Sequence, residues 1–246
     1  MMSSAAFIKI LDTVDSTNNY AMAKVRAGLA RHGLAFAAKE QTAGKGQRGK
    51  SWQMAPGQNI ALSLLLKADK LKVEQQFCLS MAVSIGVLTF FKKYAGNEIK
   101  IKWPNDLYWR DRKAGGILIE TVFKGNSWKW AVVGIGININ QQRFHKSLPN
   151  PVSLQQITGR QYEVMEMVEE LYHCVMDQVN LLYSRSADDL VEEYCTHLYK
   201  LNEAVKFKKG NVVFKTTIKG VSPLGQLLTT DKMDRQFDFG EVEWVL

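Results

Sequence analysis

Cysteine is scarce in this chain. Cys78, Cys174 and Cys195 are odd in number and widely spaced, which makes neither a metal knuckle nor a disulfide framework. Such usage belongs to a reducing compartment, and the cytoplasm is the expected location. Long apolar runs are missing too. The longest uncharged apolar run, Phe77–Phe91, has 15 residues, short for a membrane span and right for a buried helix. The opening MMSSAAFIKILDTVDS has no basic region followed by an extended apolar one, so no signal peptide is expected. There is no Lys/Arg block of five or more, no internal repeat and no low-complexity segment. Together these absences exclude a disulfide scaffold, a membrane-spanning protein and a disordered basic tail.

What is present suits a folded chain with acidic partners. The 246 residues are 46% hydrophobic, 10% aromatic and 23% charged, enough for one sizeable core or a core plus a small module. The net charge of +8 fits nucleic acid, nucleotides or an acidic protein. Because the excess is spread widely, a diffuse basic surface is the simpler reading.

The patterning predicts an α+β fold. Strands are expected at Phe7–Leu11, Leu34–Lys39 and Asn59–Lys67, with a helix from the Asp15-Ser16-Thr17-Asn18 caps to about Leu29. Glu74–Lys93 reads as a buried helix with its charges at the ends. A meander follows: Ile99–Trp103 alternates apolar and basic, Leu107–Trp109 and Gly116–Phe123 flank a charged turn at Arg110–Lys113, and Trp128–Ile139 is a further strand. Val164, Met167, Val168, Leu171, Val175, Val179 and Leu182 fall at helical spacing, and another helix covers about Ala187–Leu198. After Leu201 the texture changes to short strands, AVKFKKG, NVVFKTTIKGVS, GQLLTTD and EVEWVL. The expected whole is a mixed β-sheet domain over 1–199 with helices on one side, then a small β-barrel over 200–246 that docks on it.

Residues 44–51, GKGQRGKS, satisfy two phosphate-loop patterns at once: Gly44, Gly49, Lys50 and Ser51 for one, Gly44, Gly46 and Gly49 for the other. Both need a helix directly afterwards, whose N-terminal amides hold phosphate. Here SWQMAPGQN follows, Pro56-Gly57 break the chain, and a strand comes next, so both readings fail. What remains is a glycine-rich loop with three cations, Lys45, Arg48 and Lys50, ending on an aromatic anchor, Trp52. It is either a clamp for a phosphate-bearing ligand or a solvated hairpin tip.

Three further clusters carry chemistry. In KWPNDLYWRDRKAGGILIE (102–120), Asn105 and Asp106 offer polar groups at a strand bend, and Lys113 is followed by Ala114-Gly115-Gly116, small enough for a ligand to lie beside the amine. The bland alternative is a charged turn in water. In GIGININ (134–140), Gly134 and Gly136 interrupt a β-branched strand, a mark of close backbone approach, and Asn138 can contact a phosphate, adenine or sugar; a bulge with an Asn turn is the alternative. In DSTNNYA (15–21) the hydroxyls and amides are either helix caps or contacts to a small polar head group.

In this order the motifs resemble the biotin protein ligase family, including the catalytic part of holocarboxylase synthetases. The matching stretches are DSTN (15–18), EQTAGKGQRGKSW (40–52), KWPNDLYWRDRKAGGILIE (102–120), GIGININ (134–140) and GEVE (240–243), so the resemblance spans nearly the whole chain. It implies a stand-alone form whose 1–199 domain binds biotin and ATP and whose C-terminal barrel is SH3-like. It implies that ATP activates biotin to biotinyl-5'-AMP with release of pyrophosphate, and that biotin then passes to a lysine of a biotin carboxyl carrier protein or domain. Ser16, Thr17 and Gln41 would bind the ureido ring, with Asn18 close by. Gly44, Lys45, Gly46, Gln47 and Gly116 would lie along biotin, with Trp52 closing the loop. Lys113 would stand between the biotin carboxylate and the α-phosphate as the catalytic cation. Arg48, Lys50, Asn105, Asp106 and Asn138 would belong to the nucleotide, and the segment around Phe144 would cover adenine. Mg²⁺ would accompany ATP, with ligands the sequence does not name.

The common loop of the family reads G-R-G-R-R-G-R, and this chain departs from it at Gln47, which loses charge. A lipoate or octanoate ligase or transferase of related fold is the alternative function, although the transferases use a catalytic cysteine and none of the three here lies in a candidate site. A DNA-binding repressor is a second alternative; the chain starts only about 14 residues before DSTN, which leaves no room for a helix-turn-helix module. A non-catalytic nucleotide-binding module is a third, against which Lys113 argues. No specific DNA and no membrane are expected as partners, and a homodimer is left open.

Overall fold

The computed structural model describes residues 7–245. Residues 1–6, part of the stretch read for a signal peptide, and Leu246, the end of the last expected strand, lie outside it.

Seven strands form the main sheet: β1 (Ile8–Val14), β2 (Ala35–Gln41), β3 (Asn59–Lys67), β4 (Ile99–Lys102), β5 (Asp106–Trp109), β6 (Arg112–Lys124) and β7 (Ser127–Asn138). Their spatial order is β1-β2-β3-β7-β6-β5-β4. Only β1 and β2 run parallel, so the sheet is mixed as expected. β3 is an inner strand, and eight of its nine residues are buried, which is why it reads as a continuous apolar run rather than an alternating one.

Alternation across the strands sorts the core onto two faces. Ala35, Ala37, Leu62, Leu64, Val133 and Ile135 pack with the long helices α2 (Gln76–Ala95) and α4 (Val164–Leu181). Phe36, Leu65 and Val132 face the other way, against Ala21 of α1 (Thr17–Arg26). The expectation of helices on one side therefore holds for α2, α4 and the shorter α3 (Leu154–Thr158) and α5 (Ala187–Thr196), while α1 lies on the opposite face. The Val164–Leu182 periodicity is realised almost to the residue: Met167, Val168, Leu171, Val175 and Val179 are all buried.

Two elements escaped the sequence reading. α3 has no apolar period, but Ser153 and Gln156 cap one another at its start. The strand β11 (Asp234–Phe237) is short, polar and at a sheet edge. It belongs to the second sheet, with β8 (Ala204–Lys209), β9 (Val212–Val221), β10 (Leu227–Thr230) and β12 (Glu243–Val245), all antiparallel in the order β11-β10-β9-β8-β12. Phe207 on β8 meets both Phe237 and Trp244, from the two edge strands, so this sheet curls around its own aromatic core. That core is continuous with the main one through Ile218, Val221 and Leu227.

Candidate functional site

The α1 face of the sheet carries a polar cluster set into apolar surroundings. Ser16 occupies the N-cap position of α1, yet its hydroxyl makes no capping bond. Ser16, Thr17 and Asn18 are all buried. The Thr17 amide and hydroxyl both donate to Gln41 Oε1, at 2.8 and 3.1 Å. Ser63 Oγ donates to Thr17 Oγ1 at 2.8 Å or to Asn18 Oδ1 at 2.6 Å, and Asn18 Nδ2 donates to Glu120 Oε2 at 2.8 Å. Glu120 also pairs with Lys45 across 3.6 Å. Ser63 and Glu120 were not singled out from sequence. Ser63 is a lone hydroxyl inside the apolar run IALSLLL, and that isolation was the available signal.

Two glycines of β7 make the floor. A Cβ on Gly134 would overlap the Asn18 amide, and one on Gly136 would overlap the Trp52 indole. Any larger residue would push both side chains off the sheet. Trp52 closes the glycine loop, which is a tight hairpin. Gly46 N donates to Lys50 O at 2.7 Å and Trp52 N to Gly44 O at 2.8 Å. Arg48 and Gly49 both turn through positive φ, at 54° and 75°. No helix follows; the chain runs through Pro56-Gly57 into β3, the context in which both phosphate-loop readings fail.

Lys113 stands beside this floor. The charged turn is confined to Arg110-Asp111, and Lys113 is already on β6, paired in register with Tyr108. Its Nζ lies 2.7 Å from Asp106 Oδ1 and 5.9 Å from the centre of the Trp52 ring. A Cβ on Gly116 would sit 3.4 Å from that amine, so the glycine keeps the space next to it open. Side-chain exposure of Lys113 is 30%, far from the solvated turn of the bland alternative.

The backbone of Lys113 is knitted to the segment beyond β7. Lys113 N donates to Asn150 O at 2.9 Å, and Val152 N donates to Lys113 O at 2.8 Å. Asn138 Nδ2 donates to Val152 O at 3.1 Å and reaches Lys113 O at 3.4 Å, and Arg112 Nη2 donates to Pro151 O at 2.6 Å. Asn138 thus spends its amide nitrogen beneath the catalytic-lysine candidate. Phe144 lies half-buried on the strap so anchored.

The remaining residues lie at the loop's outer side. Gln47 Nε2 donates to Ile117 O at 3.4 Å, while its Oε1 is buried without a partner. Asn105 Nδ2 donates to the same carbonyl at 2.5 Å. Arg48 points to the second sheet, donating to Gly240 O at 3.3 Å with its guanidinium 5.7 Å from the Phe239 ring centre. Lys50 is exposed at the hairpin base. The structure therefore brings Thr17, Asn18, Gln41, Lys45, Trp52, Lys113 and Gly116 to one face, and holds Arg48 against the second sheet.

Residues 10–138 match the biotin/lipoate A/B protein ligase family. The chain is 34% identical over 143 residues to the bifunctional ligase/repressor BirA of Escherichia coli, a match covering 58% of this chain and 44% of that protein. It thus spans less than half the length of that relative. Against the biotin–[acetyl-CoA-carboxylase] ligase of Paracoccus denitrificans it is 28% identical over 235 residues, covering 92% of this chain and 95% of the other. Among solved structures, the Aquifex aeolicus biotin protein ligase in complex with biotin and ATP superposes with a TM-score of 0.81 at 24% identity, covering 96% and 97% of the two chains. The glycine loop, the lysine strand and the glycine-floored sheet all fall in or next to the matched segment, and the chain belongs to the biotin/lipoate A/B protein ligase family.

Proposed function

We propose that this protein is an ATP-dependent biotin–[acetyl-CoA-carboxylase] ligase. One observation carries the choice of biotin: the cluster of buried Thr17, Asn18 and Ser63 with half-buried Gln41 at the glycine floor. Hydroxyls and amides that can donate and accept suit a ureido ring, which does both. A lipoyl dithiolane offers no such groups and would gain nothing from the cluster's donors and acceptors. Trp52, packed on Gly136, is then the apolar surface along which the tail would run toward Lys113.

In the first step the biotin carboxylate attacks the α-phosphate and pyrophosphate leaves. Two anions must approach, so the Lys113 ammonium stabilises the charge that builds between them. Asp106 holds that ammonium in place at 2.7 Å. Lys45 and Lys50 add positive charge from the loop, and the strap around Phe144 covers the base. In the second step a carrier lysine attacks the mixed anhydride and AMP departs. The anhydride is labile in water, so a loop closed by Trp52 also excludes solvent. No covalent enzyme intermediate is required. Burial pushes the thiols of Cys78, Cys174 and Cys195 up, which suits bystanders rather than nucleophiles.

Among the described residues no group of three or more His, Cys, Asp or Glu side chains could hold a metal. Mg²⁺ would accompany the ATP phosphates as part of the substrate, the usual manner for this ion. The partner is a biotin carboxyl carrier protein or domain, the setting is the cytoplasm, and neither a membrane nor a specific DNA sequence takes part. The test is to incubate the purified protein with ATP, a carrier domain and either biotin or lipoate. Labelling of one carrier lysine with biotin alone is expected; labelling with lipoate and not biotin overturns the reading.

A further inference from the structure

Lys102 is buried to 6% exposure, and the chemistry above does not use it. Its amine lies 4.3 Å from the centre of the Tyr108 ring, 4.6 Å from that of Trp244 and 5.8 Å from that of Tyr199, and it donates to the Tyr108 hydroxyl at 3.1 Å. The rings touch one another, with Tyr199 5.3 Å from Tyr108 and 5.6 Å from Trp244 between centroids. Among the described residues no carboxylate lies within ion-pair distance of Lys102, so aromatic faces hold the charge. Burial pulls its pKa down to about 8, which leaves the amine mainly protonated at neutral pH. A buried cation costs stability where a methionine would pack freely, so its presence calls for a reason.

The three rings come from three parts of the chain. Tyr108 is on β5, Tyr199 is in the segment that leads to the second sheet, and Trp244 is on β12 of that sheet. Tyr199 also donates to Asp111 Oδ1 at 2.5 Å, on the turn two residues before Lys113. Next to Lys102, Trp103 Nε1 donates to Gly225 O at 2.9 Å and its ring packs on Phe239. Phe239 and Gly240 in turn receive Arg48 of the glycine loop, and a Cβ at Gly240 would overlap that guanidinium. The path from Lys102 to the loop thus runs through the placement of the second sheet.

We propose that Lys102 is a positioning residue: its ammonium, gripped by Tyr108, Tyr199 and Trp244, pins the second sheet to the main one and so keeps the glycine loop shut over the acyl-adenylate. The last clause rests on the ligase reading; the pin itself does not. The experiment compares Lys102→Met, Trp244→Leu, the double variant and Lys102→Arg in the full chain. Two rates are read: tryptic cleavage after Lys45, Arg48 or Lys50 in the free protein, and dissociation of biotinyl-AMP. The first needs no ligand. Lys102→Met and Trp244→Leu should each raise both rates about tenfold, the scale of one desolvated cation–π contact. The double variant should add little, because the two residues share one interaction. Lys102→Arg, which keeps a charge that stacks on rings, should stay within about twofold of wild type. Unchanged rates in Lys102→Met overturn the proposal. So does an effect in Lys102→Met with none in Trp244→Leu, which would make Lys102 a charge acting on Asp106 and Lys113. If Lys102→Met does not fold, Trp244→Leu against Lys102→Arg decides the matter on the same rates. A protein that makes no biotinyl-AMP would sink the ligase reading while the tryptic rates still judge the pin.

Discussion

At the scale of single residues the site turns on Lys113 and Gln47. Lys113 owes its position to a shift of register in the β5–β6 pair, which sets its amine against Asp106 and over the open space beside Gly116. If that ammonium stabilises charge in adenylation, Lys113→Ala should slow the step about 10²–10³-fold, the usual loss for one preorganised contact. Transfer from preformed biotinyl-AMP, read by the same carrier-labelling assay, should suffer less; a fully active variant would return Lys113 to a plain hairpin. Gln47 is the loop's departure from the common pattern. It holds Ile117 O only at 3.4 Å and leaves its Oε1 buried and unpaired. A neutral donor replaces a forked, charge-assisted one, a loss of about 1–2 kcal/mol. Gln47→Arg is therefore expected to slow release of biotinyl-AMP about 5- to 30-fold and to cut stray labelling of an added bystander protein. No change in either would mean that Arg48, clamped to Gly240, closes the loop by itself.

At the scale of elements, packing decides what the pattern could announce. The helix Val164–Leu181 was legible because one stripe faces α2 and the other face meets water. Leu171, wholly buried in that stripe, should cost about 2–5 kcal/mol on truncation to alanine, read by urea denaturation. The glycine loop, the lysine strand and the two glycines of β7 were legible because unusual residue types crowd into short spans there. What the sequence hid is tertiary. Ser63 and Glu120 join Thr17, Asn18 and Lys45 only once β3, β6 and α1 meet. Arg48 carries a loop motif but spends its guanidinium on a turn 192 residues away, a contact no local pattern records. α3 and β11 were missed because caps and edge pairing, rather than apolar period, make them.

At the scale of the whole molecule, two sheets share one core, and the loop is braced from both: Trp52 on the glycine floor of the first, Arg48 on the rim of the second. The net charge of +8 is spread over this surface. Any DNA binding should then be sequence-blind and steeply salt-dependent, with a Kd of about 10⁻⁴–10⁻⁶ M at physiological salt. A filter-binding titration giving a nanomolar Kd for one operator-like sequence would contradict that. On the proposed function, the polar cluster, the Trp52 indole and Lys113 act together to adenylate biotin. Isotope exchange between labelled pyrophosphate and ATP reports that step alone, with no carrier present. Exchange should depend on biotin, find no support from lipoate, and fall about 10²–10³-fold in Lys113→Ala. Exchange that proceeds equally without biotin, or none at all with it, would rule out biotin adenylation at this site.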